Sequence, residues 1–271
     1  MAETNISFSG SIPQMYDRYL GPVLFEPYAA DLARRVAADG TGPVLELACG
    51  TGIVTRQLRA HLAPEVAIVA TDLSQPMLDY ARTKLALLKN VNWRQADIAA
   101  LPFPDASFAT VVCQFGLMFV PDKQAAFREV RRVLREGGVF AFNVWDSMTA
   151  NPYTHLIQET LVQVFPADPP QFFTVPFSLH DRETLRQLPA AHGFSDVQLE
   201  TVALEARSES AEALAIGFIQ GSPLSTALQE RGASFEPVIA AVAAALTRFG
   251  GAAPFRSTMQ AVVASARAGT P

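Results

Sequence analysis

Apolar residues along this chain keep two rhythms that alternate. Over EPYAADLARRVAADG (26–40) they fall at Tyr28, Leu32 and Val36, the spacing of one helical face, and the stretch stops at Gly40. VLEL (44–47) is short and wholly apolar apart from Glu46, which predicts a buried strand. TGIVTRQLRAHL (51–62) returns to the helical rhythm with Val54, Leu58 and Leu62 on one side, and VAIVATD (66–72) is the next strand. Ser74 is expected to cap a helix over QPMLDYARTKLALLK, with Pro76 tolerated in its first turn. VNWRQAD (91–97) and SFATVVCQF (107–115) read as strands three and four. Asp122 opens a helix over KQAAFREVRRVLRE, with Phe127, Val130 and Leu134 inward and Gly137 as its stop, and GVFAFNVWD (138–146) is strand five.

After Asp146 the regular alternation ends. NPYTHLIQETLVQVF (151–165) predicts a helix and PADPPQFFTVPF (166–177) a loop rich in Pro and Phe. DRETLRQLPAAHGFSDVQLETV (181–202) reads as helix, Gly193 stop and sixth strand. Residues 208–250 predict two or three helices, and TMQAVVASAR (258–267) a final strand.

Strands alternating with helices from 26 to 146 mean crossover connections and a parallel sheet covered on both faces, a doubly wound α/β fold. Ligands of such sheets bind beyond the carboxyl ends of the strands, where strand order reverses. The Gly-rich turn in VLELACGTGIVT (44–55) follows strand one at such an end.

A dinucleotide fingerprint needs G-x-G-x-x-G, but the corresponding positions are Ala48, Gly50 and Ile53. A phosphate loop needs a lysine, and none occurs between Arg35 and Lys84. Glu46 points to a different ligand. A carboxylate beside a helix N-terminus would repel a pyrophosphate and attract an ammonium or sulfonium. Asp72 ends the second strand twenty residues after Gly52, the position from which an acid accepts both ribose hydroxyls. A ribose without phosphate, joined to a cationic amino-acid part, describes S-adenosylmethionine.

The series VLELACGTG, ATDLSQPML, QADIAALPFPDASFATVV and REVRRVLREGGVFAFNV resembles, in order and spacing, the class I S-adenosylmethionine-dependent methyltransferases, and within them the branch of ubiquinone/menaquinone-type C-methyltransferases. The resemblance covers roughly residues 10–146. It implies a Rossmann-like doubly wound sheet of seven strands, mostly parallel with strand seven antiparallel, and a helical lid. It also implies S-adenosyl-L-methionine as cofactor and S-adenosyl-L-homocysteine as its product. Glu46, Ala48, Gly50 and Gly52 would surround the methionine part, with the loop residues Cys49 and Thr51 beside them. Asp72 would bind the ribose, and Leu73 and Met77 would lie against the adenosine. Asp97 and Ile98 would hold the adenine. Gln114 and Phe115 would flank the methionine part and the transferred methyl. Ala48 stands where glycine is commoner. The leader SGSIPQMYDRYLGP (9–22) would fold over the cofactor, with Tyr16 or Tyr19 reaching its carboxylate.

The resemblance also divides the chain into a cofactor-covering segment (1–25), a cofactor-binding core (26–146), and a remainder (147–271) that completes the sheet and carries the lid. Phe165, Phe172, Phe173, Phe177 and Phe218 are candidates for an apolar acceptor pocket. His155 and His180 are candidates for a base, though neither has an orienting partner in the sequence, whereas His61 and His192 read as structural. CQFGLM after strand four is not the N-P-P-Y type of amine-methylating enzymes and lacks the Asp of metal-dependent catechol-type enzymes. An oxygen or carbon of a small organic metabolite is therefore the expected acceptor, with quinone-type C-methylation as one alternative and a non-catalytic cofactor sensor as another. A nicotinamide dehydrogenase is a further rival.

Composition narrows the partners. Apolar residues are 49% and charged residues 17% of the 271, so a large core can form. A net charge of −5 argues against a nucleic-acid backbone or an anionic membrane. Arg128, Arg131, Arg132 and Arg135 stand opposite Phe127, Val130 and Leu134 and read as a solvated helix face. MAETNISFSG has no signal-peptide pattern, and VIAAVAAAL (238–246) is far short of the ~20 residues of a membrane span. A cytoplasmic location is expected, and the 238–246 segment is a candidate face for a homodimer. Two cysteines, Cys49 and Cys113, form neither a metal-ligand spacing nor a disulfide framework.

Overall fold

Seven strands form one sheet: β1 (Val44–Leu47), β2 (Ile68–Asp72), β3 (Val91–Gln95), β4 (Phe108–Gln114), β5 (Leu134–Trp145), β6 (Phe194–Ser208) and β7 (Phe255–Ala268). Their order is β3-β2-β1-β4-β5-β7-β6. The first five pair in parallel, and β7 runs antiparallel to β5. The structure, a computed structural model, describes residues 10–39 and 42–269. The helix stop expected at Gly40, and Ser9 of the leader, lie outside the described residues. The helices are α1 (Ile12–Met15), α2 (Glu26–Asp39), α3 (Ile53–His61), α4 (Gln75–Lys84), α5 (Lys123–Val133), α6 (Pro152–Val164), α7 (Arg182–Ala190), α8 (Ala211–Gln220), α9 (Leu224–Glu230) and α10 (Phe235–Gly250). A π-helical stretch, Tyr16–Phe25, joins α1 to α2.

The chain divides into two compact units. A sheet unit comprises 28–146 with 176–202 and the described part of 261–271, and a helical unit comprises the described part of 1–27 with 147–175 and 203–260.

In the sheet unit every residue of β1 is buried, as a strand covered on both faces requires. Tyr28, Leu32 and Val36 of α2 and Val54 and Leu58 of α3 are buried along the predicted stripes. From β1 the chain winds one way to β2 and β3 and the other way to β4 and β5, so the switch point lies between β1 and β4. Phe127 of α5 meets Phe140, Phe142 and Phe194 edge-on at 5.7, 5.9 and 6.5 Å, which locks that helix to the sheet.

Three local expectations are corrected. The helix expected to run to Gly137 ends at Val133. The carbonyls of Arg132 and Val133 accept the N–H groups of Ala106 and Ser107 instead of continuing the helix, and Leu134 pairs with Phe108 as the start of β5. The helix after Ser74 ends at Lys84, since Leu85 turns inward and is buried. Ser74 occupies the N-cap, but the capping acceptor is Asp72: its Oδ1 takes the Ser74 N–H at 2.8 Å, and the Ser74 side chain makes no cap bond. Asp122 and Asp181 do cap α5 and α7, accepting from Ala125 and Thr184.

In the helical unit the leader is helical from Ile12. Its π-stretch contains Pro22, and Glu26 donates its N–H five residues back to Gly21 O. It packs on two glycines of the chain one turn apart: a Cβ on Gly217 would stand 2.7 Å from Leu20 Cδ2, and one on Gly221 would stand 2.7 Å from the Tyr16 nitrogen. Residues 208–250 form three helices, of which α10 packs on α6 and α8. Asn151 ties the start of α6 to β7, since its Oδ1 accepts from Gln260 N–H at 2.9 Å and its Nδ2 donates to Gln260 O at 3.0 Å.

Candidate functional site

Glu46, Asp72, Gln114 and Asn143 stand at or near the carboxyl ends of β1, β2, β4 and β5. Glu46 pairs in register with Ala70 of β2 and Val112 of β4 and is 1% exposed. Its Oε2 accepts the Thr55 hydroxyl at 2.6 Å from the first turn of α3. Its Oε1 is buried and has no hydrogen-bond partner among the described residues. Burial pushes this carboxyl up to about 8, against the opposing pull of Thr55. A buried acceptor left without a donor costs about 1–3 kcal/mol, so this oxygen marks a place for a cationic donor.

The turn after β1 is held from β2. Cys49 N–H donates to Thr71 O and Gly50 N–H to Asp72 Oδ2, both at 2.8 Å. Asp72 therefore joins the turn after β1 to the turn after β2 through its two carboxylate oxygens, and burial raises its pKa. Thr71 Oγ1 donates to Glu46 O at 2.8 Å and fixes the strand ends to one another. Gly50 and Gly52 adopt φ of 54° and 78°. At Gly52 glycine is required twice, because a Cβ would also stand 2.5 Å from Leu85 Cδ1. Ala48 takes φ 50°, a left-handed conformation that costs a side chain roughly 1–2 kcal/mol relative to glycine.

Around this turn the other expected cofactor residues have distinct settings. Leu73, beside Asp72, is 66% exposed, and its carbonyl accepts Gln95 Nε2 at 2.9 Å. Met77 and Ile98 are buried. Asp97 is exposed and its Oδ1 accepts the Ala99 N–H at 2.8 Å.

After β4, Phe115 takes φ 50°, an outlier for a bulky side chain. Its N–H donates to both Asn143 O and Asn143 Oδ1 at 3.1 Å, and Asn143 Nδ2 donates to Gln114 Oε1 at 3.3 Å. The Phe115 ring stacks on Trp145 at 3.9 Å, and Tyr28 meets both rings edge-on at 5.4 and 5.6 Å. Gly116 brings this turn against the first one, since a Cβ there would stand 2.5 Å from Ala48 Cβ. Asn143, Trp145, Thr55 and Thr71 were not singled out by sequence reasoning. One signal existed for Asn143: an amide in the apolar run FAFNVW.

The remaining candidates are placed as follows. Tyr16 lies in the π-stretch of the helical unit with its ring stacked on Phe25 at 4.6 Å. Phe173 and Phe218 are buried in that unit, 5.7 Å apart, with Phe172 and Tyr153 adjoining them. Phe165 is the half-buried C-cap of α6, and Phe177 belongs to the sheet unit, 6.2 Å from Trp145. His155 lies 3.3 Å from Glu159 on an exposed face of α6, and the Nδ1 of His180 is 2.7 Å from Phe177 O. Both bonds are local. Burial raises both thiols, that of Cys113 to about 12, so neither is a thiolate at neutral pH. Among the described residues there is no cluster of metal-ligating side chains, and no helix is long and apolar enough to cross a membrane.

Comparison with known proteins places this arrangement. A family model described as a methyltransferase domain matches residues 44–138. The ubiquinone/menaquinone biosynthesis C-methyltransferase of Shewanella frigidimarina is 33% identical over 176 residues, covering 60% of this chain and 70% of that protein. Its counterpart from Idiomarina loihiensis is 33% identical over 172 residues, covering 59% and 68%. Among solved structures, the YcgJ protein of Bacillus subtilis matches with a TM-score of 0.58 at 15% identity, over 90% of this chain and all of that one. A phosphoethanolamine N-methyltransferase of Haemonchus contortus, solved with S-adenosylhomocysteine, matches at 0.60 and 14% identity, over 95% of this chain and 57% of that one. The [4+2]-cyclase SpnF matches at 0.57 and 20% identity, over 91% and 81%, so the fold alone does not dictate the reaction.

Proposed function

Because the chain belongs to the class I S-adenosylmethionine-dependent methyltransferases, we propose that it methylates a carbon atom of a small organic acceptor. Methyl transfer from S-adenosylmethionine is the family's activity, and the C-methyltransferase relatives support carbon as the acceptor atom over oxygen. The observation that carries the cofactor assignment is the buried Glu46 carboxyl, whose Oε1 has no hydrogen-bond partner among the described residues.

The residues present fit the cofactor. Glu46 Oε1 takes the ammonium of the amino-acid part, which also supplies the positive charge that lets the buried carboxyl ionise. Asp72 Oδ2 accepts the Gly50 N–H and Oδ1 the Ser74 N–H, and the carboxylate keeps lone pairs for the ribose hydroxyls. Exposed Leu73 offers an apolar surface for the adenine, and Asp97 an acceptor for its exocyclic amine. Gln114 and Phe115 flank the reacting end. When bound, the cofactor would supply an electrophilic sulfonium methyl: an acceptor carbon, made nucleophilic by loss of a proton to solvent, would attack that methyl in line, and the carbon–sulfur electron pair would leave on S-adenosylhomocysteine. The protein's part is alignment and exclusion of water.

The test is transfer of isotopically labelled methyl from the cofactor to a panel of acceptors. Enolisable and phenolic compounds with a nucleophilic carbon are expected to gain label on carbon. Label confined to oxygen or nitrogen would overturn the carbon assignment, and tight cofactor binding with no transfer to any acceptor would make the protein a cofactor sensor.

A further inference from the structure

The amide of Asn143 is the most buried polar side chain of β5, 0% exposed in a run of apolar residues. A strand needs no amide there. The ladder bond from Phe115 N–H already ends on the Asn143 main-chain carbonyl, and an apolar side chain would avoid desolvating an amide. What the amide adds is a second acceptor, Oδ1, for that same N–H, and a donor, Nδ2, for Gln114 Oε1. Both bonds go to the carboxyl end of β4: its last residue, Gln114, and Phe115 just after it.

Phe115 needs such help. Its φ of 50° is unfavourable for an aromatic residue, and a strained backbone persists only where its surroundings over-determine it. The stack on Trp145 holds the ring, and Asn143 holds the peptide. The lack of room at Gly116, beside Ala48 and Cys113, prevents the turn from relaxing toward the first one. Asn143 also sets the Gln114 amide, since accepting from Nδ2 commits Oε1 toward β5 and turns the Nε2 end away from it.

We infer that Asn143 is a positioning residue for methyl transfer: it fixes the Gln114–Phe115 turn where the amino-acid and sulfonium part of the cofactor binds. The inference rests on the cofactor reading above, and its test requires no knowledge of the acceptor. S-adenosylmethionine, S-adenosylhomocysteine and adenosine are titrated calorimetrically into the wild-type protein, Asn143→Ala and Asn143→Asp. Adenosine lacks the amino-acid part and does not reach the turn. Asn143→Ala should weaken the first two ligands about tenfold, as loss of two hydrogen bonds predicts, and leave adenosine within about twofold. Its near-UV circular dichroism should lose intensity as Trp145 and Phe115 unstack. Asn143→Asp has the same size and keeps an oxygen for the Phe115 N–H. It should retain the tryptophan band and still lose selectivity for the two ligands over adenosine. Equal weakening of all three ligands in these variants, or weakening of none, would overturn the inference. Wild-type protein that bound neither S-adenosyl compound would instead overturn the cofactor reading.

Discussion

The two units bury polar side chains in different ways. In the sheet unit the bonds of buried polar groups span the chain: Thr55 to Glu46, Thr71 to Glu46 O, Asp72 to Gly50, and Asn143 to Phe115. Each links two different elements, or a strand end to a turn. In the helical unit most are local. Thr154 donates to Asn151 O, Thr160 to Leu156 O and Ser222 to Phe218 O, all within one helical turn. Asn151, reaching Gln260, and half-buried Gln158, donating to Pro170 O at 3.0 Å, are exceptions among the described residues. Polar groups that cross-link separate strands stiffen a binding surface before the ligand arrives. Polar groups that satisfy their own helix leave packing to apolar contacts. The contrast predicts that substitutions in the helical unit act on stability, and those at the strand ends on the ligand.

The largest effect should come from the helical unit. Phe173→Ala removes a fully buried ring set between Phe172 and Phe218 and should cost about 3–5 kcal/mol of stability in denaturant unfolding. Its affinity for S-adenosylhomocysteine should stay within about twofold of wild type. A large loss of that affinity in a folded variant would break the division.

Asp72→Ala comes next. It removes the acceptor of the Gly50 and Ser74 N–H groups together with the ribose contact, at roughly 1.5–3 kcal/mol for each charge-assisted bond. Calorimetry should show S-adenosylhomocysteine binding at least about a hundredfold weaker. An unchanged dissociation constant would remove Asp72 from the site.

The smallest effect is a pH dependence. Burial holds the Glu46 carboxyl up to about 8, above its unfolded value near 4.5, so the ligand-free fold binds the extra proton. Its contribution to stability is present below the unfolded value and declines as pH rises through that value toward 8. Ligand binding has the opposite sign, because an ammonium prefers the ionised carboxylate. S-adenosylhomocysteine should bind about fivefold tighter at pH 8 than at pH 7, with proton release detectable in buffers of different ionisation enthalpy. Glu46→Gln should flatten that profile.

Much of the sheet unit could be read in the sequence, because its apolar stripes and its loop spacing are local signals. β1 begins and ends where VLEL does, and β7 returns antiparallel as the resemblance implied. Helix ends were harder. Nothing between Val133 and Gly137 announces the end of α5, since the acceptors that end it serve Ala106 and Ser107 from another segment. No element was expected over the leader, yet 12–25 is helical, supported by the backbone space that Gly217 and Gly221 leave. Asn143 and Trp145 went unnoticed for a related reason: their roles depend on Gln114 and Phe115, nearly thirty residues earlier. Long-range partnership leaves no period in a sequence.

The strand order carries a consequence for biosynthesis. β7 lies between β5 and β6, so β6 is made first but has no strand to join until β7 follows it. Until then β5 presents its edge, with Phe140, Phe142 and Val144 beside it, to whatever the nascent chain meets. Some 120 residues separate Phe142 from its partner Ala264, and a contact that distant closes slowly. Ribosome-bound chains stalled before β7 should therefore engage chaperones, and release them as its backbone takes the place beside β5.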